Sequence, residues 1–120
     1  MKIAFPSTGR DLSAPLDDRL GRAGMFLIVD DRDGSFVVLE NIGNADAEQG
    51  AGIQSAQALI DAGAQAVVAS HCGPKAFKVF ETAGVSVHQA AIAPIQDLLE
   101  AHRSGELPVM AGPRKGGPGR

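Results

Sequence analysis

The sequence predicts one α/β domain with three layers, in which helices flank a mixed five-stranded sheet. Asp33-Gly34 lies between two apolar, β-branched runs, and this pattern predicts an antiparallel hairpin. The uninterrupted apolar run from Ala66 to Ser70 is typical of a buried parallel strand. An Ala-Gly pair, at 62–63 and again at 83–84, closes a predicted helix and opens a strand. This repeated order of helix and strand predicts right-handed crossovers and a parallel half-sheet.

The first half of the chain is predicted to hold three strands and one long loop. Residues 2–6 form a short apolar strand, and residues 25–30 and 36–41 form the two arms of the hairpin. The segment 7–24 between the first two strands has no clear periodicity. A loop of that length in a compact domain often carries function.

The second half alternates between helical and extended patterns. Apolar residues recur at helical spacing in three segments, and a glycine follows each segment at the position of a C-terminal cap. Proline stands at the start of the second and third segments, where it suits a first helical turn. The predicted elements are helix 49–62, strand 66–70, helix 74–84, strand 85–88 and helix 94–105.

Composition bounds the domain and its surroundings. The chain has 120 residues, of which 44% are hydrophobic and 21% are charged, as in globular domains. We expect a single domain over 1–108 and a Gly-, Pro- and base-rich flexible tail over 109–120. One cysteine excludes an internal disulfide. No apolar run is long enough for a membrane span and the N-terminus lacks a signal-peptide pattern, so we expect a cytoplasmic protein without a membrane partner.

The charge distribution argues against a nucleic-acid partner. The net charge is −3, and the last ten residues carry three basic side chains and no acid, so residues 1–110 carry −6. An acidic body repels a phosphate backbone. The chain also has no Trp or Tyr on which bases would stack.

The strongest candidate site follows the strand that ends at Ser70. In open α/β sheets ligands bind outside the carboxyl ends of the parallel strands, where the loops 7–24, after Ser70 and after His88 are expected to meet. At the second of these loops Gly73 allows a close turn, and a helix begins at Pro74. The free N–H groups of a helix start favour anions. Lys75 in that first turn is a hint of a bound negative group, although surface lysines are common there.

The lone thiol has two possible fates. Near a helix N-terminus the pKa of Cys72 could be lowered, and thiolate is a soft ligand for copper and iron–sulfur units. Equally, a free cysteine is often a small buried hydrophobe. His71 and His88 end strands expected to be neighbours, so both could face one pocket and form with Cys72 a set of two nitrogens and one sulfur. Each histidine alone is more typical of an ordinary loop residue.

Charged residues crowd the long loop. Asp17 and Asp18 are predicted to be turn or cap residues with Arg19 as their partner, because interleaved acids and arginines neutralise one another. The planar guanidinium groups of Arg19 and Arg22 also suit oxyanions and sulfide-bearing anions.

Three ordered segments resemble one family. Residues 16–23 (LDDRLGRA) with 26–30 (FLIVD), residues 52–63 (GIQSAQALIDAG), and residues 73–77 (GPKAF) with 83–85 (AGV) are similar to motifs of the nitrogenase iron–molybdenum cofactor biosynthesis family. The resemblance spans residue 1 to about residue 107. Leu20 departs from the family's usual Phe, and the adjacent His71 and Cys72 stand where other members often lack a thiol.

The resemblance implies a ribonuclease-H-like fold and a single-domain carrier of molybdenum-containing metal–sulfur clusters. One branch of the family, the orange proteins, carries a mixed molybdenum–copper sulfide cluster. We therefore expect an anionic inorganic cluster as the cargo, cluster donor or acceptor proteins as partners, and no catalysis. Arg19, Arg22, Gly73 and Lys75 would bind the anion, and Cys72, His71 and His88 would be the candidate metal ligands. The alternatives are a Cys72-dependent enzyme and a metal-free module that senses a ligand or binds a partner.

Overall fold

A five-stranded mixed sheet organises the molecule. The computed structural model describes residues 1–41 and 51–111. The sheet order is β3-β2-β1-β4-β5; β2 is antiparallel to both of its neighbours, and β4 and β5 run parallel to β1. The strands are β1 (Lys2–Ser7), β2 (Met25–Asp30), β3 (Phe36–Glu40), β4 (Ala66–Ala69) and β5 (Ser86–Gln89).

Helices cover both faces of the sheet, as the three-layer prediction required. The helices are α1 (Ala51–Asp61), α2 (Pro74–Thr82) and α3 (Ile95–Arg103). Buried side chains of α1 and α2 pack with one face of β1, β2, β4 and β5, and those of α3 pack with the opposite face of β1, β2 and β4. Because both faces are covered, the strands are apolar on both sides. The fold class predicted from the sequence is confirmed.

Glycines end the predicted elements where the chain must turn sharply. Gly34 in the β2–β3 hairpin has φ 78°, and its N–H donates to the Asp30 carbonyl at 2.8 Å. Gly63, after α1, has φ 92°, a left-handed conformation that side chains with a Cβ rarely adopt. The hairpin and the helix ends therefore lie where the sequence predicts them.

The packed domain extends slightly beyond its predicted C-terminal boundary. Val109 forms an isolated bridge with His88, and the Met110 N–H donates to the Val87 carbonyl at 2.7 Å. The Met110 side chain is buried in the core under α1 and α2. These two residues, expected in the tail, belong to the domain. Tail residues 112–120 and the predicted helical residues 49–50 lie outside the described residues.

The long loop after β1 is held at the carboxyl end of the sheet. The Asp17 N–H donates to the Pro6 carbonyl at 2.8 Å, and the Leu16 N–H donates to the Ala93 carbonyl at 3.0 Å. Leu16 is buried on the α3 side, whereas Leu20 is buried on the side of α1 and α2. The loop thus crosses the end of β1 and brings residues 18–21 beside the end of β4. Within the described ranges, no helix is long and apolar enough to cross a membrane.

Candidate functional site

A cavity of about 410 Å³ opens at the carboxyl ends of β1 and β4. Its walls are residues 18–21 of the long loop, Gly52 and Ile53 of α1, and, around the start of α2, His71 and residues 73–76. Of the three loops expected to meet here, the first two do. The loop after β5 does not line the cavity, and the first turn of α1 takes its place.

Four of the predicted site residues meet in this cavity. Arg19, His71, Gly73 and Lys75 all line it. Arg19 and Lys75 bring two positive charges, and among the described lining residues Asp18 is the acidic one. The cavity therefore brings two cationic side chains together, although residues 1–110 carry a net charge of −6.

A buried carboxylate orients Arg19. The Asp17 side chain is 7% exposed, and its oxygens accept hydrogen bonds from the Arg19 backbone N–H at 2.9 Å and from Nε at 3.3 Å. The second carboxylate oxygen accepts one from the guanidinium at 3.4 Å. The hydrogen bond and the charge of Asp17 raise the pKa of Arg19, so this side chain stays cationic. The Arg19 side chain remains 64% exposed and thus accessible to a ligand. This pairing confirms the predicted role of Asp17 as a turn residue.

The start of α2 contributes backbone donors. Gly73 is the N-cap residue, in an extended conformation, and makes no side-chain capping bond; Pro74 occupies the start of the helix. The N–H groups of a first helical turn have no acceptor within the helix. Lys75 stands in this turn although the helix dipole disfavours a cation there. A negative ligand in the cavity would relieve both unfavourable features.

His71 lines the cavity with an unsatisfied ring. Its Nδ1 atom is buried and has no hydrogen-bond partner among the described residues. An imidazole whose Nδ1 is buried can approach a ligand in the cavity only through Nε2. His71 is therefore the one predicted metal ligand that the structure places at the cavity.

Cys72 does not face the cavity. Its side chain is 1% exposed and packs in the apolar core between the sheet and the helices α1 and α2. Burial raises the pKa of the thiol to about 11. The alternative in which the helix start lowers this pKa is not observed, because burial removes the solvent that would stabilise the thiolate. Of the two fates considered for Cys72, the structure shows the small buried hydrophobe.

The structure does not bring His88 to His71. In the parallel ladder His88 is opposite Val68, which packs on the α3 side of the sheet. The His88 ring lies edge-on to His102 with 4.7 Å between the ring centroids, and His88 Nε2 is 3.0 Å from the Ser86 hydroxyl. In the part of the chain that the structure describes, no group of three His, Cys, Asp or Glu side chains is arranged to hold a metal ion.

Arg22 lies outside the cavity lining. Its side chain is exposed, and its backbone N–H donates to the Arg19 carbonyl at 3.2 Å. Arg22 thus closes the turn that carries Arg19.

A buried polar network, not predicted from the sequence, fixes the arginine-bearing turn to α1. Asn41 and Ser55 are almost fully buried. The Asn41 side-chain amide donates to the Ala23 carbonyl at 2.8 Å, and the Ser55 hydroxyl donates to the Gly21 carbonyl at 2.9 Å. These bonds hold one wall of the cavity against another. The only sequence signal for them was a polar residue at an inward-facing position of a helical pattern.

Comparison with known proteins shows the family of the chain. Residues 1–105 match the model of the family described as dinitrogenase iron-molybdenum cofactor. The chain belongs to this family. The three segments that carried the family resemblance each supply part of the cavity wall: residues 16–23, 52–63 and 73–77.

Members of the family and similar structures cover nearly the whole chain. An uncharacterised protein of Methanocaldococcus jannaschii is 31% identical over 109 residues, which are 89% of each chain. The apo form of the orange protein from Desulfovibrio gigas superposes with a TM-score of 0.92 at 32% identity, covering 95% of this chain and 96% of that one. An NMR structure of a candidate NifB protein from Thermotoga gives 0.81 at 35% identity, covering 97% and 98%.

Proposed function

We propose that this chain holds a molybdenum-containing metal–sulfur cluster in the cavity and acts as its carrier or assembly protein. The observation that carries the proposal is the meeting of Arg19, Lys75, His71 and the start of α2 in one cavity. The family supports a role in cofactor binding or biosynthesis. The likeness to an orange protein supports a mixed molybdenum–copper sulfide as one form of the cargo.

Charge and hydrogen bonding suit an anionic cluster. Molybdenum–sulfide clusters are anions with several acceptor atoms. Arg19 would donate from its planar guanidinium, Lys75 would supply a point charge, and the first turn of α2 would donate backbone N–H groups. The cavity volume of about 410 Å³ lies within the usual range for small-ligand sites, about 300–1,000 Å³.

Among the described residues, few side chains at the cavity are available to ligate the metal directly. His71 is the side chain we propose for a metal contact, through Nε2. Cys72 and His88 are left out, because the first is sealed in the core and the second lies on the other face of the sheet. The cluster would then be held mainly by its charge and its sulfide acceptors.

The geometry favours holding over catalysis. An enzyme using Cys72 would need an accessible thiolate with a base nearby. The observed thiol is buried, and its pKa is raised to about 11. A small hydrolase or transferase built on Cys72 therefore has no support in this structure.

Reconstitution tests the proposal. We expect the cluster-free protein, incubated anaerobically with tetrathiomolybdate and Cu(I), to form a coloured complex of fixed stoichiometry that survives desalting. A parallel sample without copper distinguishes a mixed cluster from a molybdenum–sulfide species. Elemental analysis of gently purified protein provides the second measurement. Loss of all colour and metal on desalting in both samples would contradict the proposal and favour a metal-free binding module.

A further inference from the structure

A second concave surface lies directly beside the cavity. The groove between α1 and α2 encloses about 530 Å³. From α1 it is lined by Ile53, Gln57 and Ile60, which are spaced at i, i+4 and i+7 and therefore lie on one face of the helix. Ile53 is 39% exposed, and Ile60 is half-buried.

The facing wall has the same periodicity. Lys75, Lys78, Val79 and Thr82 line the groove from α2 and are spaced at i, i+3, i+4 and i+7. The two helices approach closely near their starts, where a Cβ built on Gly52 would lie 3.5 Å from the Ala76 Cβ. Each helix is followed by a strand of the parallel half-sheet, α1 by β4 and α2 by β5. The two helices therefore run side by side on one face of the sheet. Two adjacent helices with apolar stripes form a groove that fits a third helix.

The charge of the groove selects the partner. Neither Lys75 nor Lys78 makes an ion pair with a described residue, and the described residues that line the groove include no acid. Gln57 lines the groove, and its side-chain amide donates to the Asp61 carboxylate at 2.9 Å. Residues 1–110 carry a net charge of −6. An acidic partner is therefore repelled by most of the surface and attracted at this groove.

We propose that the groove docks an acidic amphipathic helix of a partner protein. Its apolar side would pack on Ile53, Ile60 and Val79, and its carboxylates would pair with Lys75 and Lys78. The apolar floor favours such a helix over nucleic acid, which has no apolar face of this kind to bury.

The groove is continuous with the cavity. Ile53 and Lys75 line both surfaces. A helix in the groove would touch the cavity mouth, and an acid near Lys75 would compete with an anionic cargo for the same charge. Such a partner would be a cluster donor or acceptor, and this identification rests on the proposed function. The docking of an acidic helix rests on the groove alone.

A designed peptide tests the docking on the cluster-free protein. The probe is a synthetic peptide of about 20 residues, held helical by a side-chain staple on its solvent face, with Leu at i, i+3, i+4 and i+7, Glu beside this stripe and Ala elsewhere. A second peptide with Lys in place of Glu is the charge control. We expect the acidic peptide to shift the amide NMR signals of Ile53, Ile60, Lys78 and Val79, and to bind more weakly as salt is raised.

Charge reversal locates the contact. Lys78→Glu should weaken acidic-peptide binding at least tenfold, and Arg32→Glu, a reversal at an exposed hairpin position, should change it less than twofold; circular dichroism confirms that both variants fold. No signal change at about 1 mM peptide, equal binding of the basic peptide, or an unchanged affinity in Lys78→Glu would each overturn the proposal. Displacement of the acidic peptide from the groove by a single-stranded oligonucleotide would also overturn it.

The outcome is separable from cluster binding. If the peptide binds the groove but reconstitution fails, the docking surface stands and the carrier function falls. If reconstitution succeeds but the peptide does not bind, the carrier function stands without this docking surface.

Discussion

The molecule contains the same local motif twice, with two different surroundings. Asp17 and Arg19 in the long loop repeat the Asp-x-Arg spacing of Asp30 and Arg32 at the hairpin. In both pairs the backbone N–H of the arginine donates to the carboxylate of the aspartate two residues earlier, at 2.9 Å for Arg19 and 3.0 Å for Arg32. In both pairs the guanidinium also reaches the two carboxylate oxygens of the same aspartate.

The surroundings separate the two pairs. Arg32 makes the shorter contacts, 2.9 and 2.6 Å, and projects into solvent with 78% of its side chain exposed. The protonated N-terminus lies 3.9 Å from Asp30, so the charges at that end of the molecule offset one another. Arg19 makes longer contacts and shares a cavity with Lys75 and His71. The Asp30–Arg32 motif thus stabilises only a turn, whereas the Asp17–Arg19 motif also places a cation at the cavity.

The largest expected difference between the two regions is in cluster affinity. Replacing Arg19 and Lys75 together with Ala should weaken cluster retention by about 100-fold, because the loss of each charged donor to an anionic cluster should lower the affinity roughly tenfold. Arg32→Ala should change it less than twofold. Titration of tetrathiomolybdate and Cu(I), followed by absorbance, measures both. Equal losses in the two variants would show that general charge, and not the cavity, binds the cluster.

The buried thiol provides a second test of the comparison, because a role of Cys72 in binding the cluster would mean that sulfur, and not Arg19, makes the cavity a binding site. With its pKa raised to about 11 by burial, Cys72 should react with iodoacetamide on the order of 100-fold more slowly in the native protein than after unfolding at pH 8. Cys72→Ala should retain the cluster. Rapid native labelling, or loss of the cluster in Cys72→Ala despite a native fold, would return Cys72 to the ligand set.

The two aspartates should differ in their effect on stability. Asp17→Ala removes the buried carboxylate that accepts the Arg19 backbone N–H, and should lower the free energy of unfolding by about 1 kcal/mol. Asp30→Ala at the more exposed hairpin should have a smaller effect. Urea unfolding monitored by circular dichroism compares the two variants, and a larger loss for Asp30→Ala would reverse the ranking.

The smallest expected effect concerns the histidines on the face away from the cavity. Burial, and then the nearby charge of His88, lower the pKa of His102, and Asp31 opposes this. The folded protein therefore binds fewer protons here than the unfolded chain, and stability should decline as pH falls below the ordinary histidine value of about 6.5. The melting temperature between pH 7 and pH 5 measures the decline. His102→Gln should flatten it, whereas a profile unchanged in that variant would assign it to other groups.

The sequence predicted the architecture because its signals were local. The Asp-Gly turn fixes the hairpin, and glycines such as Gly63 mark helix ends through a backbone requirement of their own. The four residues that meet in the cavity were also predictable. Each lies in a loop that follows a parallel strand or begins a helix, and the topology alone brings those loops together.

The failures concern the direction of single side chains. His71 and Cys72 are adjacent, but one lines the cavity and the other enters the core. His88 lies on the α3 face because of its register with Val68. In a sheet covered on both faces, apolar residues occupy both sides of each strand, so the pattern does not show which face a given residue takes. The Asn41–Ser55 contact forms only once the fold brings the two residues together, so no local sequence pattern predicts it.

The most direct test of the central claim is amide NMR mapping of the cluster-free protein during titration with tetrathiomolybdate, a diamagnetic anion. The account predicts that the signal changes centre on residues 18–21, on Gly52 and Ile53, and on His71, Gly73, Lys75 and Ala76, with the signals of Arg32 and His88 unmoved. Changes centred on the hairpin or on the α3 face, with the cavity residues unaffected, would contradict it.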